Sequence, residues 1–246
     1  MPLQNVLRAL DRWHSRIADD PDFDETLALH RQWDWDQTND QEFANEDPFS
    51  EVVTEALALR DEDPAAGVSR LIELAEQGST SSLRAVAYCY TNGLGVQPDE
   101  DEAERWDRRA MEAGSLSGLL ECGRHCWRRQ DWDGCERVYG VGAGMGWAPA
   151  MYWLARVRLH RSKSRATLNE VRPLLEGAAA KGSLAAQKLL SYHLILGHFG
   201  LREVPRGWRM AWLLATVETM MWRSKRVAET DRMLTLGEIS CSCLVL

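Results

Sequence analysis

An all-α solenoid of about four to five helix hairpins is the fold the sequence predicts, and three observations predict it. Apolar residues recur at i, i+3, i+4 and i+7 through residues 3–18, and small and apolar residues keep helical spacing from Ser82 into the Gly93 loop, the period of amphipathic helices. Glycines close four successive helical stretches, at Gly78, Gly114, Gly146 and Gly182, separated by 36, 32 and 36 residues, and a fixed period of this size marks a repeat architecture. Counted from each glycine, position +4 is small (Ser82, Gly118, Ala150, Ala186), position +8 apolar (Val86, Cys122, Leu154, Leu190) and position +9 small again (Ala87, Gly123, Ala155, Ser191). Small residues at fixed helical positions let neighbouring backbones approach closely, as stacked hairpins require.

The elements follow in order. Leu3, Val6, Leu7, Leu10, Trp13 and Ile17 form the apolar stripe of a first helix, ended by Asp19-Asp20-Pro21-Asp22. Asp24 caps a second from Glu25 to about Trp35, and the acidic, unpatterned stretch from Asp36 to Pro48 reads as a loop. Ser50 caps a helix carrying Val52, Val53, Ala56, Leu57 and Leu59, which with Pro64–Gln77 makes a degenerate first hairpin. The best-formed hairpin runs from Ser82 to Gly114, turning at Gly93-Leu94-Gly95-Val96 and re-entering helix through an acidic first turn. The next unit is four residues shorter, and the loss falls in its loop, Arg128–Asp131. The last unit runs through Leu184–Leu196, a Gly197–Leu201 loop and Pro205–Trp222, with the proline suited to a first helical turn. The expected organisation is an acidic helical cap over residues 1–63, repeats over 64–222, and a helix and tail over 223–246.

Ser82, Tyr90, Gly93, Gly95, Val96, Asp99, Ala103, Trp106, Ala110 and Gly114 stand at the spacing of the Sel-1-like repeat, and the chain resembles that branch of the tetratricopeptide-like hairpin repeats. The resemblance covers roughly residues 64–222 and is strongest over 82–114; Val86-Ala87 replace the Leu-Gly that the pattern prefers. It implies a right-handed superhelix that works as a protein-binding scaffold or adaptor, and it implies no reaction.

Charge is unevenly placed. Residues 19–63 carry a net of −14 and residues 115–246 a net of +8, within a total of −8. Such a dipolar chain can steer a charged partner, or its acidic segment can lie on its own basic half. No run of 18 apolar residues and no basic leader is present, so a cytoplasmic protein is expected, with its six cysteines (89, 122, 126, 135, 241, 243) reduced.

Motifs that would carry chemistry fail on inspection. Gly140-Val-Gly142-Ala-Gly144-Met-Gly146 is glycine-rich, yet Gly142 falls in register with Ala110, a packing position, and no strand precedes it as a dinucleotide loop demands. Cys122, His125, Cys126 and Cys135 lack the spacing of a structural zinc site, and His125 points away from the two cysteines of its helix. No metal, no cofactor and no catalytic residue are expected, hence no enzyme. Arg156, Arg158, Arg161, Lys163 and Arg165 form a basic run, but the net acidity argues against nucleic acid.

A binding face is expected instead. Positions +6, +10 and +13 lie across the first helix of each unit from the core columns, and Arg84, Tyr88, Arg124, Trp127, Tyr152, Arg156, Lys188 and Tyr192 occupy them. Tyr, Trp and Arg are the usual anchors of protein interfaces, so these residues are the expected partner contacts, for a bacterial regulator or a toxin-neutralising immunity protein. The chain ends Cys243-Leu-Val-Leu, a C-a-a-X box in which Cys243 would be geranylgeranylated. The alternative that follows is a host-delivered or lipid-anchored effector, membrane-associated only through that lipid.

Overall fold

Glycine followed by a capping residue sets where the helices stop and restart. The computed structural model describes residues 47–215; the expected N-terminal helices and the tail with Cys243 lie outside the described residues. In chain order the helices are α1 (Ser50–Glu62), α2 (Pro64–Glu76), α3 (Thr80–Asn92), α4 (Glu100–Glu112), α5 (Leu116–Arg128), α6 (Trp132–Gly144), α7 (Ala148–Arg161), α8 (Arg165–Ala180) and α9 (Leu184–Ile195). A 3-10 turn (Leu201–Glu203) follows, and residues 204–215 are again helical, with Pro205 in the first turn. The cap of α1 is Phe49 rather than Ser50, and Asp47 accepts the Phe49 N–H at 2.9 Å.

The junctions between hairpins share one construction. Gly78, Gly114, Gly146 and Gly182 take φ of 97°, 90°, 74° and 93°, a left-handed conformation that glycine adopts at no steric cost. The next residue then donates its N–H to the carbonyl five back, Ser79 to Leu74 (3.1 Å), Ser115 to Ala110 (2.9 Å), Trp147 to Gly142 (3.0 Å) and Ser183 to Ala178 (3.1 Å). This is the Schellman closure of a helix end. Ser79, Ser115 and Ser183 at once cap the following helix, accepting the N–H of Ser82, Gly118 and Ala186. Trp147 cannot cap, and α7 begins with Pro149 in its first turn, where no donor is needed.

The loops inside the hairpins differ. Between α3 and α4, Gly93 caps the helix with φ 69°, and Gly95 runs against the start of α2: a Cβ there would meet the Pro64 carbonyl oxygen at 2.1 Å. Between α5 and α6 the turn is cut to Arg129-Gln130-Asp131, with Gln130 at φ 57° and Asp131 capping α6 through the Gly134 N–H at 2.8 Å.

By packing, the chain divides into a unit ending at Ala186 and one beginning at Gln187. In the first unit each helix packs on the next from α1 to α8, so that hairpins α1–α2, α3–α4, α5–α6 and α7–α8 stack in sequence. All twelve residues of the three repeat columns are buried. Gly118 lies on α4, where a Cβ would meet the Met111 nitrogen at 2.7 Å; Gly142 faces the Cβ of Ala150 at 2.6 Å, and Gly67 the Arg60 backbone at 2.2 Å. The Gly-rich stretch 140–146 is thus the end of α6 and its cap. In the second unit the 204–215 helix closes on the end of α9, with a Gly207 Cβ position 2.8 Å from Leu194.

Two glycines of the third hairpin give opposite expectations. A Cβ on Gly123 would lie 2.2 Å from the Tyr139 ring, whereas Gly140 has nothing within 4 Å. Gly123→Ala should destabilise the fold by about 1–3 kcal/mol through overpacking, and Gly140→Ala should stabilise it by about 0.5–1 kcal/mol through helix propensity. Urea unfolding of the two variants beside wild type checks the sign of each.

Candidate interaction face

The first helices of successive hairpins, α3, α5 and α7, carry the side chains that sequence spacing assigned to a face, and the structure joins them. Arg84 of α3 donates to Ser117 of α5 at 3.0 Å and pairs with Asp107 of α4. Asp107 also shares a hydrogen bond with His125 Nε2 of α5 at 3.1 Å. Asp107 is only 2% exposed. A carboxylate buried to that degree is held by its hydrogen-bonded partners, so Arg84, Asp107 and His125 form a node bolting the second hairpin to the third.

One hairpin further on, the chemistry changes to aromatic. Trp127 of α5 stands with ring centroids 5.1 Å from Trp132, 5.8 Å from Trp153 and 5.6 Å from His160. The Arg156 guanidinium lies over three rings, 4.7 Å from Trp153, 5.2 Å from Trp127 and 5.7 Å from Tyr152. Cation–π attraction of this kind strengthens when the cation is desolvated, and Arg156 is 7% exposed. Tyr139 of α6 stacks on Trp153 of α7 at 5.8 Å; its full burial pushes its hydroxyl well above the usual tyrosine pKa.

The eight expected partner contacts therefore do not form a uniform surface. Tyr88 is 53% exposed. Arg84 and Arg124 are half-buried, the latter paired with Glu121 one turn away. Trp127, Tyr152 and Arg156 are buried, as are Leu120 and Leu159 in the same columns, so the expectation that these columns stand clear of the core fails in the third and fourth hairpins. Aromatic side chains this large reach across to the neighbouring helix and become its packing. Lys188 and Tyr192, both half-buried, belong to the second unit.

The basic run is likewise engaged. Arg158 binds Glu136 at 2.7 Å, and Arg161 binds Asp133 at 2.7 Å and Glu136 at 3.1 Å, all on α6. Of the residues weighed as metal ligands, Cys122 is buried in its core column, where burial first and Asp107 second push its thiol up to about 12. Among the described residues no three His, Cys, Asp or Glu side chains gather as a metal site, and no helix is long and apolar enough to cross a membrane.

Neither protein-family models nor curated proteins match the chain. Solved structures do. A Sel1 repeat protein from Oxalobacter formigenes superposes with a TM-score of 0.50 at 22% identity, over 61% of this chain and 62% of that one. The protein c5321, a protective antigen present in uropathogenic Escherichia coli strains and displaying an SLR fold, superposes with a TM-score of 0.54 at 24% identity, over 63% of this chain and 34% of that one. The chain has the Sel1-like repeat fold. It spans less than two thirds of the length of either neighbour.

Within the Sel1-like hairpin Ser82–Gly114, the residues of the repeat pattern are structural. Ala103 and Ala110 are fully buried, and Trp106 closes the first core against Val86 and Leu71 with the Arg109 guanidinium 4.4 Å above its ring. Asp107, one residue on, is outside the pattern and escaped the sequence reading, since an Asp in a run of charged residues carries no mark of burial. Removing it would strand Arg84 beside a buried His125. Asp107→Ala should cost roughly 3–5 kcal/mol, the usual penalty for breaking a buried charge pair from one side, read as a fall in the urea midpoint; a loss under about 1 kcal/mol would show that the node is not holding the hairpins.

Proposed function

We propose that this protein is a non-enzymatic scaffold that binds a partner protein along the α3–α5–α7 face, with Tyr88 and Arg124 as the accessible anchors. One observation carries the reading: Tyr88, a large aromatic residue, stands more than half exposed in the same repeat column as Arg124, on helices joined by the Arg84–Ser117 hydrogen bond. An exposed aromatic on a rigid support loses little conformational freedom on binding, which is why such residues become hot spots. Trp127, Tyr152 and Arg156 then act beneath the face, holding its shape, and Arg84 fixes the register between its first two helices. Lys188 and Tyr192 offer a second set of contacts in the other unit.

The finer readings, a regulator, a toxin-neutralising immunity protein or a lipid-anchored effector, differ in what is captured and share this face. Affinity capture with wild-type protein, followed by titration of the recovered partner, separates them by the partner's identity. Tyr88→Ala with Arg124→Gln should weaken that partner's binding at least tenfold, the variant remaining helical and cooperatively folded by circular dichroism. Equal affinity in the folded double variant would remove this face from the interaction.

A further inference from the structure

A second feature lies beside the α5–α6 turn and shares no residue with the partner face. A cleft of about 280 Å³ opens there, lined by Cys126 with Arg108, Arg129 and Arg137 and the carboxylates Glu104 and Asp131. Arg108 and Arg129 are tied to Glu104, while Arg137 is exposed at the rim. Cys126 is half-buried on the wall, and Cys135 is buried behind it on the facing helix. The Cys135 thiol donates to the Gly123 carbonyl, one turn before Cys126, at 3.6 Å. Gly134 makes the meeting possible, for a Cβ there would stand 3.0 Å from the Cys126 Sγ and 2.2 Å from an Asp131 carboxylate oxygen.

We propose that Cys126 is an oxidisable thiol that reacts with hydroperoxides in this cleft, and that Cys135 resolves the product to a Cys126–Cys135 disulfide across the α5–α6 turn. The electrostatics favour Cys126 over the other described thiols. The neighbouring Cys135 thiol lowers Cys126 to about 7, against burial, Asp131 and Glu104 and with help from Arg137. Burial pushes Cys122 up to about 12 and raises Cys89. The thiolate is the nucleophile, so a low-pKa, accessible cysteine beside a resolving partner is where oxidation falls first.

The chemistry balances with a hydroperoxide as the one co-reactant. The Cys126 thiolate attacks the terminal oxygen of ROOH, the S–O bond forms as O–O breaks, and the departing alkoxide takes a proton from water to leave as ROH. Cys135 sulfur then attacks Cys126 sulfur, the S–O bond breaks, and the hydroxyl leaves with the Cys135 proton as water. The peroxide gains two electrons and the two thiols lose them. A dithiol reverses the bond by exchange.

Trypsin separates the two cysteines into peptides 125–128 and 130–137, so the full-length protein can be tested directly. It is treated with one equivalent of hydrogen peroxide at pH 7.5, quenched with N-ethylmaleimide and mapped by mass spectrometry. The expected product is those two peptides joined with the loss of two hydrogens, released by dithiothreitol, with Cys89 and Cys122 unoxidised. In Cys135→Ser, dimedone should label Cys126 instead. Iodoacetamide labelling of Cys126 should accelerate as pH rises through about 7, the direction in which its thiolate fills. Cys126 remaining free while peroxide is consumed, or oxidation spread evenly over the four described cysteines, would overturn the proposal; the wild-type map decides even if the serine variant fails to fold.

Discussion

Close approach of helix backbones at positions that admit no side chain is the constraint on which the rest of this fold depends. At Gly67 and Gly118 the neighbouring helix's main chain occupies the space a Cβ would need, and at Gly142 the Cβ of Ala150 does. Stacking at that distance brings the apolar columns of adjacent helices into contact, so Val86, Leu71 and Trp106 share one core. The left-handed glycines do the complementary job. They close each second helix within one residue and, at Ser79, Ser115 and Ser183, aim the chain straight into the cap of the next, which holds the hairpins at a constant phase.

Constant phase alone would let hairpins slip by a unit, because each looks like its neighbours. The side chains between the columns remove that freedom, and they do so with different chemistry at successive junctions. Arg84, Asp107 and His125 join the second hairpin to the third by charge-assisted hydrogen bonds. Trp127, Trp153 and Arg156 join the third to the fourth by stacking and cation–π contact. Each junction would leave a buried charge or an oversized ring unmatched if paired with the wrong neighbour, and an unpaired buried charge costs several kcal/mol.

The columns were legible in the sequence because both of their properties are local. A left-handed turn needs glycine, and a close approach needs Gly, Ala or Ser, so Gly114, Gly118 and Ala150 announce themselves by type and spacing. Burial between the columns was not legible in that way. Helical period gives the angle at which Trp127, Tyr152 and Arg156 leave their helices, but what covers them depends on the reach of side chains from another hairpin. The same limit hid Asp107, and it hid the meeting of Cys126 with Cys135, which depends on the three-residue turn that brings α6 back on α5 and on Gly134 having no side chain to hold the sulfurs apart. The shortened loop was visible by counting; that it would juxtapose two thiols was not.

The charge pattern shows the same shift from composition to contact. The basic C-terminal half suggested a surface for an acidic ligand, yet three of its arginines are spent between helices: Arg158 and Arg161 on α6, Arg129 on Asp101 and Glu104 of α4. Arg109 does the same with Glu76, where the guanidinium holds the carboxyl below its usual pKa. Exposed pairs of this kind contribute little stability singly, but each one neutralises a cation that would otherwise attract acidic partners indiscriminately. Net charge then steers at long range, where salt screens it, and discrimination at contact falls to groups whose partners are not already supplied by the chain. For the partner proposed above, that places the weight on Tyr88 rather than on the arginine run, so shape and apolar contact rather than acidity would select it.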